Sequence, residues 1–282
     1  MSQKKVREYD AKRVLSRWLH DYSENEHSAS GHIVRVSSED VARTSFCVSF
    51  TFNSDVSNIN ITHTENMSSW KKKIVSEHPW IVKSKLVVKV DQLIKRRGKN
   101  GLIKVNASFE EATKWISDMM NVSKTVEGTT GVLNNFLIEQ LVPHKQSEEY
   151  YLCIHTDRQG DEILFHHEGG VDVGDVDAKA TRVRYSEDEV LSTKQISDSL
   201  LSKLKDEKRR KMVASYVRSL LLLYRDLHFC YFEINPLVCL SDRVVALDVA
   251  SVLDETAEYL CMSLSHFNKT YFVVRRSTRM TP

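Results

Sequence analysis

The sequence predicts a mixed α/β or α+β protein, with helices and strands interleaved along its 282 residues. Three observations point there. Ser108, with Glu111 three residues later, opens an apolar-periodic run through Met119, the pattern of a capped helix. Leu86–Val90 (LVVKV) is a short β-branched run bounded by polar residues. Cys230–Leu240 and Arg243–Ala250 read as two strands joined by a tight turn at Ser241-Asp242.

The other elements follow in order. Over residues 5–20, Val6, Tyr9, Val14, Leu15 and Trp18 fall at helical spacing. Residues 22–70 are rich in Ser, Asn and Thr, carry a fragment of strand pattern at Phe46–Phe52, and predict a long loop or insertion. Asp91–Gly101 (DQLIKRRGKNG) is a basic, glycine-punctuated loop, and Phe136–Val142 (FLIEQLV) is a strand ended by Pro143. Glu149–Asp157 and Glu162–Glu168 are strands about a turn at Arg158–Asp161, and Gly169–Ala180 is a glycine- and aspartate-rich loop. Ser197–Phe229 contains a long amphipathic helix with a charged middle, KLKDEKRRK.

Composition removes several functional classes. Lys+Arg 40 against Asp+Glu 38 gives a net charge of +2, without the basic excess of a nucleic-acid binder. Mean hydropathy is -0.36, and the longest wholly apolar run, Leu220–Tyr224, is far short of the roughly 20 residues a membrane span needs. The N-terminus has no apolar signal core and carries Glu8 and Asp10, unlike an acid-poor transit peptide. Five cysteines without a CxxC pair fit reduced thiols, and a cytoplasmic location is expected. Eight of the nine glycines lie between Gly98 and Gly174, which favours a site built from loops over scattered turns.

The strand pair carries the sharpest chemical signal. A turn at Ser241-Asp242 sets Leu240 opposite Arg243 and therefore Asn235 opposite Asp248, close enough to share one cation. Ile234, Pro236, Val238 and Leu240 then share a core face with Val245, Leu247 and Val249. The other face gathers Glu233, Asn235 and Asp248 at its far end. Oxygen ligands of this kind suit Mg²⁺, and a solvated hairpin face is the alternative. The proline after Asn235 marks an edge or bent strand. Lys89 interrupts LVVKV as either a solvent-facing residue or an aimed charge. The loop from Arg96 to Gly101 offers cations and backbone N–H groups to phosphate oxygens, or is an ordinary basic turn. The stretch from Glu139 to Glu149 is a domain connector or a backbone edge that reads a base. His166 and His167 point to opposite faces of a strand and are read as structural.

Three segments, HPWIVKSKLVVKVDQLIKRRGKNGL, FLIEQLVPHKQSEEYYLCIHTDRQGDEILFHHEGGVDVGDVDAKA and YRDLHFCYFEINPLVCLSDRVVALDVA, resemble the amino-terminal region of the ATP-citrate synthase (ATP-citrate lyase) family. More distantly they resemble the succinyl-CoA synthetase β subunit. The resemblance is weak over residues 1–20 and strong over 70–260. It implies an ATP-grasp fold, with a larger subdomain (1–20 plus 143–260) carrying the Mg²⁺ site and a nested one (21–142). By this resemblance Lys89 reaches the ATP phosphates, Arg97 and Gly98 contact the nucleotide, and the Gln140 and Val142 backbone meets adenine. Glu149 lies at the ribose, and Asn235 and Asp248 bind Mg²⁺. It implies the reaction that makes acetyl-CoA and oxaloacetate from citrate, CoA and ATP, with phosphoryl transfer to a histidine outside this chain. Positioning and charge neutralisation would carry the phosphoryl step. No catalytic nucleophile is identified here.

Four departures shape the expectation. Val90 stands where the family has proline, and Val252 where it has lysine. Residues 25–65 read as an insertion, and 261–282 as a divergent tail. The citrate, CoA and phosphohistidine modules are expected as partners, in a separate chain or in full-length enzyme. Two other readings remain: a truncated or alternatively spliced non-catalytic nucleotide binder, and the ATP-grasp subunit of another acyl-CoA ligase such as succinyl-CoA synthetase. No nucleic-acid or membrane partner is expected.

Overall fold

The structure, a computed structural model, describes residues 3–22, 48–51, 71–72, 74–76, 78–94, 96–170, 176–186, 189 and 191–257. The tail over 261–282, most of 25–65 and residues 171–175 of the glycine- and aspartate-rich loop lie outside the described residues. In chain order the elements are β1 (Gln3–Val6), α1 (Glu8–Trp18), β2 (Val48–Thr51), β3 (Leu86–Val90), β4 (Ile103–Ala107), α2 (Phe109–Met119), β5 (Ser123–Val126), β6 (Thr129–Val132), β7 (Asn135–Gln140), β8 (Glu149–Asp157), β9 (Gly160–His166), α3 (Val176–Lys179), β10 (Thr181–Tyr185), α4 (Thr193–Ser199), α5 (Glu207–Asp226), β11 (Phe229–Cys239), β12 (Val244–Ala246) and β13 (Val249–Asp254). Every pairing among the described strands is antiparallel, the α+β form of the expected class. The chain divides into two compact units, Met1–Thr44 with Pro143–Arg276, and Ser45–Val142 with Ser277–Pro282.

In the first unit a sheet runs β1-β13-β11-β8-β9-β10, with β12 paired to β11. Leu152, Ile154, Ile163, Phe165, Phe232 and Ile234 of the sheet form one buried cluster with Val213, Val217, Leu220 and Leu221 of α5. A second, smaller cluster of Tyr151, Cys153, Leu164 and Val176 packs against Tyr231. The long helix expected within 197–229 is α5, and the charged run stands at its start and not in its middle. The α4 helix ends at Ser199, and Asp206 then caps α5 by accepting from the Arg209 N–H at 3.1 Å. An N-cap carboxylate satisfies donors that the helix start leaves open, so the KLKDEKRRK run divides at its aspartate.

The second unit has a sheet ordered β2-β7-β3-β4 and a β5–β6 hairpin. The α2 helix starts as the sequence predicts. Ser108 accepts from the Glu111 N–H at 3.2 Å, and the Ser108 N–H donates to the Glu111 carboxylate at 2.7 Å. Phe109, Ala112 and Ile116 bury its apolar face, and Trp115 meets Phe136 edge to face. Sequence reading missed β1, β4, β10 and the β5–β6 hairpin. The strand fragment expected near residue 50 is real: β2 pairs with β7 from Val48↔Ile138 to Thr51↔Asn135.

Around β11 the predicted register holds and the predicted faces do not. Leu237↔Ala246, Val238↔Val245 and Cys239↔Val244 pair as the turn at Ser241-Asp242 requires, and Ile234↔Val249 continues the same register into β13. Against β8, however, Ile234↔Leu152 is followed by Leu237↔Tyr150, so β11 carries one extra residue. This bulge reverses the inward face. Phe232 and Ile234 enter the α5 cluster, and so do Leu237 and Cys239. The expected continuous core face through Pro236, Val238 and Leu240 is therefore corrected: the inward parity switches at Asn235-Pro236, whose peptide is cis. The β11 strand lies between β13 and β8, so the proline marks a bend and not an edge.

Candidate nucleotide and metal site

The candidate residues form two clusters, one in each unit. In the first unit the bulge places Asn235 where two contacts meet. Its N–H donates to the Asp248 carbonyl at 3.0 Å, so the two residues are opposed as predicted. Its side-chain Oδ1 accepts the Gly170 N–H at 2.7 Å. Gly170 has φ +92, and a Cβ there would collide with the Glu149 carboxylate. Glu149, Gly170, Asn235 and Asp248 therefore gather in one place. The neighbouring Gly169 lies flat on β8: a Cβ would sit 2.9 Å from the Tyr150 nitrogen and 2.5 Å from its carbonyl carbon. Only glycine allows the loop after β9 to approach β8 this closely. His144 Nε2 lies 2.9 Å from Glu149 Oε1 and orients that carboxylate.

The ladder breaks between β12 and β13, at Leu247-Asp248. Leu247 N–H donates to the Pro236 carbonyl at 3.1 Å, and the Leu247 carbonyl accepts from Lys12 Nζ at 2.7 Å. Sequence reading did not find the Lys12 contact, because nothing local marks a bond across 235 positions.

In the second unit Lys89 is not a solvent-facing residue. It is 5% exposed in β3 and pairs with Glu139 of β7 at 2.9 Å. Leu86↔Gln140 and Val87↔Glu139 fix that register. The Arg97 guanidinium donates to the carbonyl of Val90, next to Lys89, at 3.0 Å. Leu102 N–H donates to the Arg97 carbonyl at 2.9 Å, which closes the basic loop back onto β3 through the turn containing Gly98. Gln140 is exposed at the end of β7, Leu141 N–H donates to the Lys85 carbonyl at 2.7 Å, and Val142 is buried.

Burial governs the two buried thiols described in the first unit. Burial, followed by the charge of Glu233, pushes the Cys153 thiol up to about 12, and burial pushes Cys239 up to about 11. Both are protonated, unreactive thiols at neutral pH. Burial raises the Tyr231 phenol as well, and its hydroxyl donates to Glu233. His166 is buried with Nδ1 3.0 Å from the Glu168 carbonyl oxygen, a structural contact. The two histidine rings lie 4.7 Å apart and not on opposite faces, because β9 ends at His166.

Among the described residues no group of three or more His, Cys, Asp or Glu is placed to hold a metal. The opposed pair offers one amide oxygen and one carboxylate. That set is too sparse and too hard for zinc or iron. It fits Mg²⁺, which keeps several waters and takes further oxygens from substrate phosphates. No described helix is long and apolar enough to cross a membrane.

Comparison with known proteins places this architecture. The family model "ATP-citrate synthase ATP-grasp domain" matches residues 2–264. The human ATP-citrate synthase is 48% identical over 189 residues, covering 67% of this chain and 17% of that protein. A probable ATP-citrate synthase subunit 2 from Schizosaccharomyces pombe is 40% identical over 269 residues, covering 93% of this chain and 54% of its own length. The solved ATP citrate lyase of Methanothrix soehngenii, in complex with citrate and coenzyme A, superposes with a TM-score of 0.69 at 31% identity, covering 92% of this chain and 53% of that one. This chain thus spans from 17% to 54% of these relatives. With the mixed helix-and-sheet architecture and a match to nearly its whole length, the chain belongs to the ATP-citrate synthase ATP-grasp domain family.

Proposed function

We propose that this chain binds Mg-ATP as the nucleotide-handling portion of an ATP-citrate synthase, and that it acts with modules supplied by a further chain or segment. The opposition of Asn235 and Asp248 at a bulge, with Gly170 and Glu149 beside them, carries this reading. Asn235 and Asp248 hold Mg²⁺, and Glu149 takes the ribose. Lys89 and Arg97 hold phosphates with the Gly98 backbone, and the Gln140 and Val142 backbone meets adenine. Bound Mg²⁺ supplies neutralisation of phosphate charge. The protein's part is to fix these groups before the phosphoryl leaves, and fixed charge is the main catalytic term in such transfers.

The proposed organisation is a larger subdomain, 1–20 with 143–260, that carries the metal ligands, and a nested one, 21–142, that carries Lys89. The 25–65 insertion contributes β2 to the nested sheet. The naming of the fission yeast relative as a subunit supports a separate partner chain. The complete reaction takes citrate, CoA and ATP to acetyl-CoA and oxaloacetate, in the cytoplasm. Mixing the chain with the complementary subunit of a split ATP-citrate synthase tests this. Oxaloacetate formation should depend on citrate, CoA, ATP and this chain together. Succinate-dependent in place of citrate-dependent ATP consumption would move the chain to another acyl-CoA ligase, and nucleotide binding without turnover would favour a non-catalytic product.

A further inference from the structure

The break between β12 and β13 is held by a residue that no part of the proposed nucleotide site includes. Strand β1 pairs with β13 from Gln3↔Asp254 to Val6↔Ser251. Continued, that register would set Asp10 opposite Leu247. The chain instead leaves the sheet and enters α1 at Glu8. The carbonyl of Leu247 thus loses the strand that would have covered it. Lys12, one helical turn after Glu8, reaches back and donates to that carbonyl at 2.7 Å. Its Nζ is also 2.7 Å from Glu8 Oε1, and both side chains are 2% exposed.

A fully buried lysine is costly. Taking each ion out of water is penalised, and well-packed apolar residues often replace such pairs with equal or greater stability. Stability alone is a weak reason for this pair. Its placement gives a better one. The Leu247 carbonyl belongs to the peptide that leads into Asp248. Leu247 N–H is already tied to Pro236, and the Asp248 carbonyl to Asn235. Lys12 supplies the remaining tie. With it, the backbone carrying Asp248 is fixed both along β11 and toward α1.

We propose that Lys12, held by Glu8, is a positioning residue for the metal ligand Asp248. It acts through the Leu247 carbonyl and touches neither nucleotide nor metal. This inference rests on the reading of Asn235 and Asp248 as the Mg²⁺ pair. It predicts that losing Lys12 weakens the divalent cation selectively and leaves contacts to the base and ribose intact.

The test uses the full chain with Mn²⁺ as the probe, its bound fraction read by electron paramagnetic resonance in the presence of ATP, beside ATP binding in EDTA. Lys12→Met alone strips this cation from the buried Glu8 carboxylate and costs stability; the informative variant is therefore Glu8→Gln/Lys12→Met, which removes both charges at once. The double variant should melt within a few degrees of wild type. Its Mn²⁺ dissociation constant should rise about tenfold, with metal-free ATP affinity within about twofold. Asp248→Asn is the reference. If Asp248→Asn abolishes the Mn²⁺ site while the folded double variant binds Mn²⁺ as wild type does, the inference fails and the metal reading stands. If Asp248→Asn leaves Mn²⁺ binding unchanged, the metal reading fails and takes the inference with it. Equal losses of Mn²⁺ and metal-free ATP affinity in the double variant would also overturn the inference, because they would report a general structural role.

Discussion

The Lys89–Glu139 pair makes stability and binding separable. Both side chains are at most one-tenth exposed, and their charged atoms are 2.9 Å apart between β3 and β7. Lys89→Met leaves a buried carboxylate without this cation, and breaking a buried pair from one side costs about 3–5 kcal/mol. Glu139→Gln leaves the ammonium in the same position, with a loss of similar size. Lys89→Met/Glu139→Gln removes both charges and should return to within about 1 kcal/mol of wild type, since a neutral, well-packed replacement is often as stable as the pair. The three variants form a double-mutant cycle, whose coupling term isolates the pair. Urea denaturation followed by the fluorescence of Trp80 and Trp115, which pack on the core of the same unit, reads it out. ATP affinity should behave differently. It should fall about tenfold in Lys89→Met and stay low in the double variant if Lys89 holds phosphate as proposed, because restoring stability does not restore that ammonium. A Lys89→Met chain as stable as wild type, or a double variant as unstable as the worse single, would refute the reasoning.

Three further outcomes are expected. Gly169→Ala must push its Cβ against the Tyr150 backbone, and it should destabilise the chain by about 1–3 kcal/mol and weaken ATP binding, read by thermal melting and calorimetry. Ser108→Ala removes one half of the α2 capping box and should cost about 1 kcal/mol in a urea melt without changing ATP affinity. The third concerns acid. A hydrogen bond from Arg184 and a second from the Gln159 N–H hold the Asp157 carboxyl below its ordinary range, and Glu162, although burial pushes it up, is lowered overall by hydrogen bonds from Arg184, Arg182 and His155. Stability contributed by these lowered carboxylates is complete above their ordinary values, about 4, and is lost as pH falls through the folded-state values. The acid limb of a stability–pH curve should therefore flatten in Arg184→Ala.

Local physics made much of this legible in the sequence. The α2 capping box, the β3 strand and the pairing register around Ser241-Asp242 follow from residues within a few positions of one another. The Asn235–Asp248 opposition came from that register, and the structure keeps it. The reversal of faces at Asn235-Pro236 was not legible, because a bulge is defined against β8, a strand about 80 positions earlier in the chain. The burial of Lys89 was hidden for the same reason: a charge in an apolar strand reads as wet until its partner on β7 is known. The β5–β6 hairpin and β4 escaped because their exposed faces break the apolar alternation, with Val105 and Val132 pointing outward. Glycine clustering did identify the loop that carries Gly169 and Gly170, although which backbone they approach needed the fold.

On the proposed reading, Asn235 and Asp248 make this chain a Mg-ATP binder. Calorimetric titration of the purified chain with ATP, in Mg²⁺ and in EDTA, beside Asp248→Asn, tests it most directly. Binding that is strengthened by Mg²⁺ in the wild type, with the strengthening lost in Asp248→Asn, is the predicted result. A folded wild-type chain that binds no ATP, or whose binding is indifferent to Mg²⁺ and to Asp248, would contradict it.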